Sequence, residues 1–187
     1  INEIAFSIEK FNHGTPSGGD NTACCFGGLI WFQKSNPENM IQQLKEKVSY
    51  NLENFVLVNV GKPQKTTGEL VQHVRDLDEG FRNQRIKAIG AATMAMRDAL
   101  EQKDFGKMKA LINFAQRYLA ELGVSTKEID DVSKAVLSIG GAAKLCGAGG
   151  GGTVLCYHED KNRLIDTIKS LGFSCWETAL GEDGVRK

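Results

Sequence analysis

Five glycines and one alanine, Gly147-Ala148-Gly149-Gly150-Gly151-Gly152, stand between two apolar stretches, and the second of these stretches excludes most folds that carry such a run. The run formally contains Gly-x-Gly-x-x-Gly, but a dinucleotide fingerprint has to open a helix. Here the next residues are Thr153-Val154-Leu155-Cys156-Tyr157, which read as a strand. A Walker A loop needs Gly-Lys-Ser/Thr at its end and a helix after it, and neither is present. What remains is strand, glycine loop, strand. Successive amides in such a loop either form a concave anion site or pack tightly against a neighbouring loop.

A second glycine-rich stretch lies near the start, His13-Gly14-Thr15-Pro16-Ser17-Gly18-Gly19-Asp20-Asn21-Thr22. Thr15 followed by Pro16 reads as a helix entry, because proline at the first helical position gives up an amide that would be orphaned anyway. Ser17 and Asp20 have the spacing of a reciprocal cap, with the carboxylate at the positive end of the helix dipole. Gly14, Gly18 and Gly19 remove bulk around Asp20, which a cap does not require and a closely approaching substrate does. Glu9 precedes Asp20 by eleven residues in a helical stretch with Ile4, Ala5 and Ile8. Two acids beside one turn suit two tasks: holding a hard cation such as magnesium, and taking the proton of a hydroxyl that attacks phosphorus.

Glu9-Lys10, the His13–Asn21 stretch and Lys144-Leu145-Cys146-Gly147-Ala148-Gly149-Gly150-Gly151-Gly152 together resemble the mevalonate kinases of the GHMP kinase family. The end of the chain, Gly172-Phe173-Ser174-Cys175-Trp176-Glu177-Thr178 with Gly181 and Gly184-Val185, resembles the closing strand of the animal enzymes. The likeness spans nearly the whole chain but only about the C-terminal half of such a kinase. Gly19 departs from the branched aliphatic residue usual there. Nothing matches the family's N-terminal lysine or its Pro-x-x-x-Gly-Leu-Gly-Ser-Ser-Ala loop, so the chain reads as a fragment.

The resemblance implies an ATP- and Mg²⁺-dependent kinase of mevalonate with Asp20 as catalytic base. Asp20 and Thr67 would meet the substrate, Gly147, Gly149 and Gly150 the nucleotide, and Glu9 the metal. The alternatives are a sister kinase of phosphomevalonate or a sugar, and a silent regulatory module of the same fold. A homodimer is left open.

Composition agrees with a soluble globular chain of 187 residues, 41% hydrophobic and 25% charged. Lys plus Arg equals Asp plus Glu at 23 each, so net charge offers nothing to nucleic acid or a membrane surface. Five cysteines without a Cys-x-x-Cys spacing read as reduced thiols of a cytoplasmic protein, a peroxisomal address remaining open.

Cys24–Phe32 hands a helix over to a buried strand. A turn comes next at Asn36-Pro37-Glu38, and Met40, Ile41, Leu44 and Val48 recur at helical spacing. Residues 1–50 form a piece of an N-terminal lobe. Residues 51–187 form an α+β domain, an antiparallel sheet with helices on one side. Its elements are a strand at Phe55–Val60, a helix capped by Thr66 and Glu69, three helical stripes, the two strands around the glycine run, and a helix opened by Asp160 and closed by Gly172 before the last strand. The stripes are Ile86, Ile89, Met96 and Leu100; Met108, Leu111, Ala115, Leu119 and Leu122 behind an Asp104 cap; and Ile129, Val132 and Val136 behind Ser125 and Glu128. Lys62 and Lys65 are loop cations near Thr67. His73 and His158 lack a metal-spaced partner and read as structural or exposed.

Overall fold

The structure, a computed structural model, describes residues 1–13, 16–35, 39–44, 48–50 and 52–185, without the side chains of Asn12 and His13. The chain divides into two compact units, Ile1–Glu53 with Ala179–Lys187, and Asn54–Thr178. The last residues thus lie with the first unit, across a boundary that the sequence places near residue 50.

In the first unit α1 (Asn2–His13) packs on α2 (Gly19–Phe26), and β1 (Ile30–Gln33) pairs antiparallel with β2 (Met40–Gln43). Two expectations are corrected here. Residues 40–43 form a strand rather than a helix, because pairing Phe32 with Ile41 and Trp31 with Gln42 satisfies a backbone that four residues of helix could not. Pro16 lies outside α2, whose cap is Gly18 with φ 89° and no side-chain capping bond. Ser17 Oγ accepts the Gly19 amide at 3.1 Å instead of pairing with Asp20. Gly14 and Thr15, and the turn at 36–38, lie outside the described residues.

The second unit is built on a four-stranded sheet of order β4-β5-β3-β6, from β3 (Leu52–Asn59), β4 (Ala142–Leu145), β5 (Thr153–Tyr157) and β6 (Ser174–Leu180). β5 runs antiparallel to both β3 and β4. Alternation along the strands sends Val56, Val58, Ala143, Leu145, Val154 and Cys156 into one core. That core is covered by Leu70 of α3 (Thr67–Asp76), by Ile129, Val132 and Val136 of α6 (Lys127–Ser138), and by Leu164 and Ile168 of α7 (Lys161–Ser170). Each fully buried aliphatic side chain contributes about 1.5–3 kcal/mol relative to exposure.

α4 (Glu79–Glu101) and α5 (Phe105–Glu121) form an antiparallel hairpin tied by Arg85 Nε to Glu121 at 2.9 Å. Ala92 and Ala99 of α4 and Met108 and Ala115 of α5 are buried, each pair seven residues apart, the spacing of one helix face. Ile86, read as part of that stripe, is instead exposed.

The helix ends show the expected chemistry in most places. Thr66 and Glu69 form a reciprocal capping box, Asp104 accepts the Lys107 amide, and Asp160 accepts the Arg163 amide. The exception is α6, which Thr126 caps through the Ile129 amide while Ser125 is engaged elsewhere. His158 is structural: the Asp160 amide donates to Nδ1 at 2.9 Å and Nε2 lies 2.9 Å from the Ile139 carbonyl. All five cysteines are free, from exposed Cys24 to buried Cys156. No helix among the described residues is long and apolar enough to cross a membrane.

Candidate active site

In the first unit the two acids stand on two packed helices, Glu9 on α1 and Asp20 in the first turn of α2. Asn2, Phe6 and Glu9 recur at i, i+4 and i+7 and share a face of α1. Asn21 Nδ2 donates to Asn2 Oδ1 at 2.6 Å, and Asn2 Nδ2 reaches Thr22 Oγ1 at 3.5 Å. One turn along, the Phe6 ring lies beside Gly18, where an added Cβ would stand 3.4 Å from it. α1 therefore runs antiparallel to α2. Glu9, about 10 Å along α1 from Asn2, lies past the N-terminus of α2, where Asp20 occupies the first turn. Glu9 is half-buried and Asp20 exposed.

Local contacts hold the start of α2. Thr22 Oγ1 donates to the Gly18 carbonyl at 2.6 Å, and Gly19 has Phe32 as a neighbour. Lys10 Nζ rests 4.7 Å from the Phe6 ring centroid, so a cation flanks the same face. Asn2 and Asn21 were not singled out in the sequence. Their signal was two polar residues placed where helices meet, which is visible only once the pairing is known.

In the second unit the glycine run joins β4 to β5, and its two halves behave differently. The Gly150 amide donates to the Val124 carbonyl at 2.8 Å, the Gly152 amide to the Gly61 carbonyl at 2.7 Å, and the Gly152 carbonyl accepts from Val60 at 2.9 Å. A side chain on Gly149 would overlap the Val124 carbonyl, and one on Gly150 would press on Leu70 at 3.0 Å. Gly149 and Gly150 are thus packed, and the Gly150 amide is taken. The first half is open: a Cβ on Gly147 would meet nothing within 4 Å. The amides of Gly147, Ala148 and Gly149 have no acceptor among the described residues. φ is +66° at Gly147 and +88° at Gly149, the left-handed backbone from which anion-binding turns are commonly built.

Thr67 is the first residue of α3, exposed, with Thr66 occupied in the cap. Leu70, one turn on, packs under Gly150, so α3 and the glycine loop share one surface of this unit. Lys144, the last residue but one of β4, is half-buried and donates from Nζ to the Leu145 carbonyl at 2.9 Å. Burial holds its ammonium below the ordinary lysine range, with no carboxylate beside it among the described residues. Burial likewise pushes the Cys146 thiol up.

The donor types fit the groups that the resemblance implies. Glu9 and Asp20 offer hard oxygen ligands suited to magnesium, and amides without an internal acceptor suit a phosphate. Among the described residues no three His, Cys, Asp or Glu side chains converge.

Residues 96–173 match the family described as GHMP kinases C terminal. This chain carries the C-terminal domain of the GHMP kinases. Along nearly its whole length it is similar to mevalonate kinases. The Bos taurus mevalonate kinase is 31% identical over 206 residues, covering 99% of this chain and 49% of the bovine enzyme. That of Schizosaccharomyces pombe is 33% identical over 201 residues, covering 99% and 48%. The chain therefore spans about half the length of the curated relatives it matches. Among solved structures, L. major mevalonate kinase in complex with R-mevalonate superposes with a TM-score of 0.81 at 22% identity, covering 98% of this chain and 58% of that one.

Proposed function

We propose that this chain supplies the catalytic turn and the C-terminal domain of an ATP-dependent kinase that phosphorylates the primary hydroxyl of mevalonate to 5-phosphomevalonate. The observation that carries the reading is Asp20, placed by the Asn2–Asn21 and Thr22–Gly18 contacts in the first turn of α2, within a chain similar from end to end to mevalonate kinases.

ATP with magnesium would supply the phosphoryl group and the charge that neutralises it. Asp20, exposed and bordered by Gly18 and Gly19, orients the substrate hydroxyl and accepts its proton. Glu9 contributes one oxygen ligand to the cation. The Gly147–Gly149 amides receive phosphate oxygens, and Thr67 lies on the same surface to hydrogen-bond a ligand. Phosphoryl transfer asks a protein mainly for positioning and electrostatic stabilisation, which these groups provide without covalent chemistry. The reading places the protein in the cytoplasm, in isoprenoid and sterol synthesis, and assigns the missing phosphate loop to polypeptide that this chain does not contain.

The test is a phosphorylation assay with magnesium-ATP and mevalonate, run on the chain alone and with a polypeptide carrying the Gly-Leu-Gly-Ser-Ser-Ala loop. Activity is expected only on mixing. In the active mixture Asp20→Asn should lower kcat by about 10²–10⁴-fold with little change in KM, as loss of positioned proton transfer does. Glu9→Gln should raise the magnesium requirement. Retention of more than about a third of turnover by Asp20→Asn is incompatible with a general base.

A further inference from the structure

We infer that Gln116, a buried carboxamide in the middle of α5, is a positioning residue that sets both flanks of the glycine loop. Gln116 is 5% exposed. Its Oε1 accepts the Leu145 amide at 2.9 Å, two residues before Gly147. Its Nε2 donates to Ser125 Oγ at 3.1 Å, and Ser125 Oγ donates in turn to Asp130 Oδ1 at 2.6 Å. Ser125 comes directly after Val124, whose carbonyl holds the Gly150 amide at 2.8 Å and leaves Gly149 no room for a side chain. One side chain therefore anchors the strand that enters the loop, and through Ser125 the segment on which the loop's second half rests.

The physical need is plain. β4 is an edge strand, because the sheet order ends with it, and an edge leaves a row of amides and carbonyls unpaired. α5 takes the place of a fifth strand. Asn113, one turn before Gln116, donates to the Gly141 carbonyl and accepts the Ala143 amide, both at 3.1 Å. Gln116 then takes the Leu145 amide, and Lys144 Nζ takes the Leu145 carbonyl. A carboxamide presents the same donor and acceptor as a peptide group, so Asn113 and Gln116 continue the ladder. The backbone N–H of Leu145 fixes which end of Gln116 faces the strand, and that leaves its NH₂ for Ser125. The chain of donors runs from Leu145 through Gln116 and Ser125 to the Asp130 carboxylate, an arrangement in which each bond polarises the next.

The consequence for function rests on the reading of the loop as a phosphate cradle. The open amides of Gly147, Ala148 and Gly149 can converge on an anion only if Leu145 and Gly150, on either side, keep their places.

The experiment is amide hydrogen exchange measured by NMR on this chain, wild type against Gln116→Leu and Ser125→Ala, with inorganic tripolyphosphate as the anion probe. In Gln116→Leu the Leu145 and Gly150 amides should exchange about tenfold faster, the factor expected of one lost hydrogen bond, while Val56, Val58 and Val154 keep their protection. In Ser125→Ala only Gly150 should accelerate. Gln116→Glu, which keeps the acceptor for Leu145, should restore protection at Leu145 alone.

An unchanged Gly150 amide in Gln116→Leu, or uniform acceleration across the sheet, overturns the inference. Should Gln116→Leu fail to fold, Ser125→Ala decides in the same way, since an unaltered Gly150 there breaks the proposed link. Tripolyphosphate should shift the Gly147–Gly149 amides in the wild type and bind about tenfold more weakly to Gln116→Leu. Exchange behaving as expected without any tripolyphosphate shift supports the positioning role and refutes the phosphate reading, so the two fail separately.

Discussion

The backbones of Gly27 and Gly184 cross without room for a side chain on either. A Cβ on Gly184 would stand 2.5 Å from the Cys25 carbonyl and 2.6 Å from the Gly27 nitrogen. The returning segment is held there by Gly28 donating to the Glu182 carbonyl at 2.8 Å and by Val185 donating to the Cys24 carbonyl at 3.2 Å. Residues 182–185 are thereby fastened to the end of α2, the helix that carries Asp20. Gly184→Ala should displace the tail and cost more than about 2 kcal/mol, the range of severe steric and strain effects. Chemical denaturation checks the cost, and limited proteolysis should then release the last residues.

The glycine loop offers a controlled comparison. Gly147→Ala and Gly149→Ala both place a side chain at positive φ, which costs roughly 1–2 kcal/mol. Only Gly149→Ala adds a clash with a backbone carbonyl that Gly150 is holding. Gly149→Ala should therefore lower the melting temperature clearly more than Gly147→Ala. Equal losses would mean that the loop is not packed on Val124.

Lys144 predicts a pH-dependent stability. Because burial depresses its affinity for a proton in the folded chain, the unfolded chain binds more protons as pH rises from the folded value toward the ordinary lysine range. Stability from this group therefore increases with pH across that window. Lys144→Met removes this charge together with the donor to the Leu145 carbonyl, so its stability relative to wild type should be greatest near neutrality. That relative stability should fall as pH is raised above the lysine range. Denaturation midpoints at neutral and alkaline pH measure it, and a constant difference between the two would contradict the assignment.

Ile4, Ile8 and Phe11 recur on α1 at 67%, 57% and 91% exposure, an apolar stripe on the side away from α2. Such a stripe in water promotes self-association. Ile8→Glu with Phe11→Glu should reduce light scattering at high concentration without lowering the melting temperature, because neither side chain is buried. A fall in melting temperature would show that the stripe is covered.

Local patterns in the sequence determined a good part of this protein. The capping box at Thr66, the caps at Asp104 and Asp160 and the period of Ile129, Val132 and Val136 all depend on neighbours within a turn, and they formed where those neighbours stand. The strand after the glycine run was legible for the same reason, as five residues rich in β-branched and apolar side chains.

Tertiary structure alone decided the rest. Residues 40–43 carry apolar spacing that serves a helix or a strand, and the presence of β1 as a partner settled it. Ser125 had a cap's spacing but was taken by Asp130 and Gln116. Gln116 and Asn113 acquire their roles only because β4 lies beside α5 with its outward amides and carbonyls open. A hydrogen bond within one turn is fixed by residue types at known spacing. A hydrogen bond between residues 29 positions apart depends on which edge the fold brings to which helix, and no local pattern encodes that.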